Sequence, residues 1–173
     1  RWGLFPSVSA GWNIFKEDFF NVSWIDLLKL RLSLGEIGNQ NIGIYPYQQS
    51  LALGKDVPFG VSETMSPGAA PEMVSNKGIS WESTRIADVG FDVGVFNNKL
   101  NFSVDYFDKL TQDILYNISA SSVLGLTPSV VNAGKVSNKG IDLSIQNWNV
   151  IGDFSYDISA NISYVKNAVV ELA

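Results

Sequence analysis

Phe154-Ser-Tyr-Asp-Ile-Ser-Ala-Asn-Ile-Ser-Tyr164 alternates without a break. Phe154, Tyr156, Ile158, Ala160, Ile162 and Tyr164 take one face of an extended chain, and Ser155, Asp157, Ser159, Asn161 and Ser163 take the other. A soluble sheet shows the same alternation, so the chemistry of the polar residues has to separate the two environments. Soluble outer faces favour long charged side chains. Here the polar positions are short, which suits a wet lumen on one side and lipid on the other, as in the wall of a membrane β-barrel. Eleven residues at about 3.3 Å each, tilted by roughly 45°, rise about 25 Å, the height of the apolar band of such barrels.

Five further stretches repeat the pattern. Val8, Ala10 and Trp12 oppose Ser7, Ser9 and Gly11, while Leu28, Leu30, Leu32 and Leu34 oppose Lys29, Arg31, Ser33 and Gly35. Between them, residues 13–26 mix Phe15, Phe19, Phe20 and Trp24 with Lys16, Glu17 and Asp18, a composition for the interfacial level of a bilayer or for a short amphipathic helical turn. A third strand, from about 80 to 95, sets Ala87, Val89, Phe91, Val93 and Val95 against Asp88, Gly90, Asp92 and Gly94. Asn97 and Asn98 tolerate the positive φ of a tight hairpin turn, so the fourth strand, from 100 to about 116, is expected to pair antiparallel with the third. The fifth sets Ile141, Leu143 and Ile145 against Asp142, Ser144 and Gln146, and residues 148–153 are expected to turn it into the sixth.

The links near Asn97 and Gly152 are short, whereas 38–79 and 117–133 are long and rich in Gly, Pro, Ser and Asn. Loops beyond about 12 to 15 residues are uncommon inside compact soluble domains, but outer-membrane barrels place long loops outside and short turns in the periplasm. The expectation is an all-β, antiparallel meander of about six strands. Six strands do not close a barrel, whose smallest bacterial members have about eight. With unpaired edges on both outer strands, the chain reads as a segment of a larger wall.

Composition narrows the chemistry. Cysteine and histidine are absent, which removes disulfides, thiolate ligands, and the commonest metal ligand and general base. No metal or cofactor is expected, and no enzyme. A net charge of −5, with the twelve Lys and Arg scattered, disfavours nucleic acid as a partner. No apolar run approaches the ~18 residues of a spanning helix.

Several ordered motifs resemble the SusC/RagA type of TonB-dependent outer-membrane transporters of Bacteroidota. They are Phe5-Pro-Ser-Val-Ser-Ala-Gly-Trp12, Leu28-Lys-Leu-Arg-Leu-Ser-Leu-Gly35 with Gly38-Asn39, and Trp81-Glu-Ser-Thr84 leading into Val89-Gly-Phe-Asp92. Phe96-Asn-Asn-Lys-Leu100, Val104-Asp-Tyr106 and Lys109-Leu-Thr-Gln-Asp113 follow, then Asn132-Ala-Gly134, Asn138-Lys-Gly-Ile-Asp142 and the run from Phe154 to Val170. The resemblance implies a segment, residues 1–173, of a large 22-stranded transmembrane barrel, lacking the plug domain. It also implies an outer-membrane location, energy from TonB through the plug, a SusD-like surface lipoprotein as lid, and import of bulky nutrients, either glycans or peptides. It assigns no substrate-contacting residue.

Asp88, Asp92, Asp105, Asp142 and Asp157 all fall on polar faces. Paired carboxylates serve in glycoside hydrolysis, but their spacing along separate strands makes no pair. They read as lumen-facing groups satisfied by water, Ser, Asn, or Lys29 and Arg31. Tyr45, Tyr47, Phe59 and Trp81, in or beside the long loop, offer amphipathic rings for ligand or lid contact, against a plainer reading as loop packing or rim. Trp12, Trp24, Phe96 and Trp148, near short turns, read as membrane-interface aromatics. The rival to the whole scheme is a soluble all-β carbohydrate-binding module, such as a sandwich, which requires one sheet face to pack on another.

Overall fold

The computed structural model describes residues 2–43, 45–117 and 121–172. β1 (Ser7–Asn13) leads through a 3-10 turn at Ile14–Lys16 to β2 (Ile25–Asn39). Four three-residue strands follow: β3 (Leu51–Leu53), β4 (Val57–Phe59), β5 (Thr64–Ser66) and β6 (Ala69–Pro71). Then come β7 (Glu82–Val95), β8 (Leu100–Gln112), the short β9 (Leu115–Asn117) and β10 (Val130–Asn132), and finally β11 (Lys135–Ile151) and β12 (Phe154–Glu171). The long strands form one six-stranded sheet in the order β1-β2-β7-β8-β11-β12, every pair antiparallel. The expected meander is therefore present, with β1 and β12 each paired on one side only among the described residues.

Register aligns the alternating stripes into two faces. Leu30, Phe91, Val104, Leu143 and Ile162 lie in one cross-strand row, and Leu32, Val89, Tyr106, Ile141 and Tyr164 in the next. On the other face Lys29, Asp92, Ser103, Ser144 and Asn161 share a row, beside Arg31, Gly90, Asp105, Asp142 and Ser163. A one-residue slip would exchange the faces of a strand, so this agreement across four pairings is the strongest constraint on the sheet. Most of the apolar face is left uncovered among the described residues: Ile158 is 64% exposed, Ile162 68% and Tyr164 69%. Among the described residues only Ile79 and Val95 are buried hydrophobics. A sandwich needs a covered face, and among the described residues neither face carries a second sheet.

Several boundaries differ from the sequence reading. Residues 148–151 continue β11 instead of turning, and Gly152, at φ 63, makes the turn with Asp153. β8 ends at Gln112, where Asp113 adopts φ 54, and β9 then pairs with β10. The loop between β2 and β7 is not structureless, since β3 pairs with β6 and β4 with β5. At 13–26 the helical turn is realised as one 3-10 turn. The hairpin at 96–98 follows expectation in kind, with Phe96, Asn97 and Asn98 all at φ between 57 and 59.

The two long loops brace each other. Val74 N–H donates to Thr127 O at 3.1 Å and Thr127 N–H to Glu72 O at 2.8 Å. Asn76 Nδ2 donates to Val130 O at 2.9 Å. Asn132 makes the joint at the sheet: its Oδ1 accepts from Ser80 N–H at 2.7 Å, and its Nδ2 donates to Ser80 O and Asp113 O, both at 2.9 Å.

Candidate functional site

The polar face is organised around Arg31. β2 carries this side chain toward β7 and β8, where Arg31 Nε donates to Asp92 Oδ2 at 2.8 Å and Nη2 to Asp92 Oδ1 at 2.9 Å. Nη2 also reaches Ser103 Oγ at 3.0 Å and Asp105 Oδ2 at 3.1 Å, and Nη1 lies 2.8 Å from Asp105 Oδ1. Ser103 Oγ donates to Asp92 Oδ1 at 2.8 Å, so three strands are joined by one guanidinium. The planar fork of arginine suits this two-carboxylate grip, which a lysine does not reproduce.

Glycine makes the room. A Cβ on Gly90 would lie 2.1 Å from Asp105 Oδ1 and 2.8 Å from the Arg31 guanidinium. A second glycine on this face, Gly140, lies opposite Phe107, whose ring would be 2.5 Å from an added Cβ. Phe107 is thus an aromatic on the polar face, shielding the backbone that the glycine leaves bare.

Beyond the ion pairs the face opens into a hollow of about 390 Å³, lined by Asp92, Ser103, Ser144, Gln146, Ser159 and Asn161 among others. Apart from Asp92, its polar side chains are neutral hydroxyls and amides. All five expected carboxylates share this face. Asp92 and Asp105 are held by Arg31, Asp157 accepts from Gln146 Nε2 at 2.9 Å, and Asp88 and Asp142 have no ion pair among the described residues. No group of three or more metal-ligating side chains occurs among the described residues. Arg31 and Ser103 were not singled out as the centre by sequence reasoning. The available signal was an arginine on the polar stripe of one strand, in a chain whose other polar stripes carry aspartates.

The aromatic candidates separate. Tyr45, Tyr47 and Trp81 line one loop-side hollow of about 270 Å³ with Gln40, Ile42 and Pro46, and the two tyrosine rings meet edge-on at 6.1 Å. Phe59 lies apart in β4 and is 74% exposed. Trp81 also packs on Phe5, at 5.4 Å, where the Phe5 ring covers Gly38 on the apolar face. At the short-turn end, Trp12 donates Nε1–H to Glu17 Oε1 at 2.8 Å and meets Phe19 edge-on, Trp24 sits in the turn before β2, and Phe96 opens the β7–β8 turn. Trp148 lies within β11 and alternates onto the side of Gln146, whose partner across the sheet is Ser159.

A single antiparallel sheet with a largely uncovered apolar face and a polar, ion-paired opposite face has the form of a segment of a transmembrane-type β-barrel wall. The chain belongs to the TonB dependent receptor-like β-barrel family, whose description matches residues 1–171. TonB-dependent receptor P39 of Formosa agariphila is 37% identical over 174 residues, covering 99% of this chain and 16% of that protein. TonB-dependent receptor SusC of Bacteroides thetaiotaomicron is 31% identical over 179 residues, covering 99% of this chain and 18% of that protein. The structure of the RagAB peptide importer in its open-open state superposes with a TM-score of 0.82 at 27% identity, over 97% of this chain and 18% of that one. The chain thus spans 16 to 18% of the length of these curated relatives.

Proposed function

We propose that this sheet is part of the barrel wall of an outer-membrane, TonB-dependent importer of bulky nutrients, an oligosaccharide or a peptide, working with a SusD-like surface lipoprotein. The observation that carries the reading is the two-faced sheet: apolar and uncovered on one side, polar and braced by Arg31 on the other, in a chain of the TonB-dependent family. In this reading the apolar face meets outer-membrane lipid, the Asp-rich face lines the lumen, and loops 38–79 and 117–133 stand on the extracellular side. The mutual bracing of the two loops makes them one rim, at which Tyr45, Tyr47 and Trp81 are placed to touch substrate or lid. Trp12, Trp24 and Phe96 then anchor the periplasmic interface. The plug and the TonB-contacting segment belong to other parts of the protein.

Transport, rather than catalysis, fits the polar face, where Arg31 engages both Asp92 and Asp105 as a structural brace across the strands. The RagAB structures, named for a peptide transporter and importer, support an importer, and peptide is one of the two classes proposed here. The test is deletion of the gene for the full receptor, followed by growth on panels of oligosaccharides and of peptides. Loss of growth on one class, reproduced by loss of TonB, is the expected result. Recovery of the receptor in the soluble fraction, or uptake that is indifferent to TonB, overturns the proposal.

A further inference from the structure

The apolar face does not stay apolar to the end of the strands. One row past Val89, Tyr106, Ile141 and Tyr164, register places Ala87, Asp108, Lys139 and Lys166 side by side, with Arg85 and Glu36 in the row beyond. All of these alternate onto the apolar side. Lys139 pairs with Asp108 at 2.7 Å. Lys166 lies directly opposite Lys139, and neither Lys166 nor Arg85 has an ion pair among the described residues. Like charges directly opposite on a sheet repel. The arrangement calls for an anion. Arg85, Asp108 and Lys139 also border a hollow of about 520 Å³ whose floor includes Leu34, Leu110 and Val170.

We propose that Arg85, Lys139 and Lys166 form a binding site for the phosphate group of an outer-leaflet lipid, whose acyl chains lie along the apolar rows below. The inference rests on the membrane orientation given under the proposed function. Two features select a lipid phosphate over a soluble one. The cations sit on the lipid side of the wall, and the rows beneath them are continuous apolar surface ending in Tyr106 and Tyr164, residues suited to the headgroup boundary. Three cations against Asp108 and Glu36 leave net positive charge where phosphate headgroups lie.

The experiment uses the full-length receptor extracted from outer membranes in mild detergent, with native mass spectrometry reading its binding of diphosphoryl lipid A and of the dephosphorylated lipid. Wild type is expected to prefer the phosphorylated lipid at least tenfold. Lys166→Gln should weaken that binding about fivefold and the triple variant R85Q/K139Q/K166Q about a hundredfold. Asp108→Asn, which frees Lys139, should tighten it, an outcome that structural damage does not produce. Lys99→Gln, at the short-turn end, should change nothing. Equal binding of the two lipids, equal losses in Lys166→Gln and Lys99→Gln, or complete displacement by millimolar inorganic phosphate overturns the site. If the triple variant fails to fold, the opposed effects of Lys166→Gln and Asp108→Asn decide. A receptor missing from the outer-membrane fraction defeats the membrane reading itself, whereas a receptor present there without phosphate preference defeats only this inference.

Discussion

Removing the Arg31 side chain leaves Asp92 and Asp105 near each other on adjacent strands without their shared cation. Because Arg31 and its partners are one-quarter to one-third exposed, the loss is discounted for solvent. Arg31→Ala should destabilise the folded receptor by about 1–3 kcal/mol, and Arg31→Lys should restore only part of it. The measurement is urea unfolding of the full receptor followed by tryptophan fluorescence. Gly90→Ala attacks the same cluster from beneath, and is expected to lower stability comparably by pushing Asp105 off the guanidinium. Removing both effects at once should be less than additive, since they act on one network. The sequence alone shows that Arg31 and the aspartates share a polar face, because alternation sets that within each strand. Which aspartate meets Arg31 was not legible. That depends on the register between β2 and β7, strands joined by a long loop that carries no local register signal. Phe107 was hidden for a related reason: its side of the sheet is set by alternation, but its purpose appears only when Gly140 is found opposite.

At the scale of elements, the β7–β8 hairpin concentrates three consecutive left-handed residues, Phe96, Asn97 and Asn98. Asparagine accepts this conformation at small cost, and a β-branched residue does not. Asn97→Val should therefore cost about 1–2 kcal/mol and slow barrel assembly, read as a delay in the appearance of the heat-modifiable folded band. Asn132 is the counterpart at the other end. Asn132→Ala removes the three hydrogen bonds that fasten β10 to residues 80 and 113, so hydrogen exchange should rise in 72–81 and 113–132 while the sheet stays protected. The short turn was readable because Asn-Asn names its own backbone geometry. The small hairpins β3–β6 and β4–β5 were not, because three-residue strands fall below the window in which alternation can be counted. The continuation of β11 through Trp148 was missed because Trp148 and Asn149 look like turn and interface residues until β12 is laid beside them.

For the whole molecule the separation of the two faces is the property to test. Ile162→Arg, in the middle of the apolar band, should cost about 2–4 kcal/mol in a bilayer, whereas Asn161→Lys, its neighbour on the polar face, should be nearly neutral. The contrast, read from bilayer unfolding titrations, tests which face is turned to the lipid. The fold class was visible in the sequence because two solvents acting on opposite sides of every strand leave a period-two record along its length. β12 adds something that composition cannot. Eighteen residues at about 3.3 Å, tilted by roughly 45°, rise about 40 Å, well above a band of about 25 Å.

Neighbours in the sheet are also neighbours in chain order, with only the small loop strands set between them. The consequence concerns time. Each long strand finds its template in the one delivered just before it, so pairing can advance in a single direction without waiting for a distant segment to arrive. The slow searches fall in two excursions, the 42 residues between β2 and β7, from Gln40 to Trp81, and the 22 between β8 and β11, from Asp113 to Gly134, whose closure entropies grow only with the logarithm of their lengths.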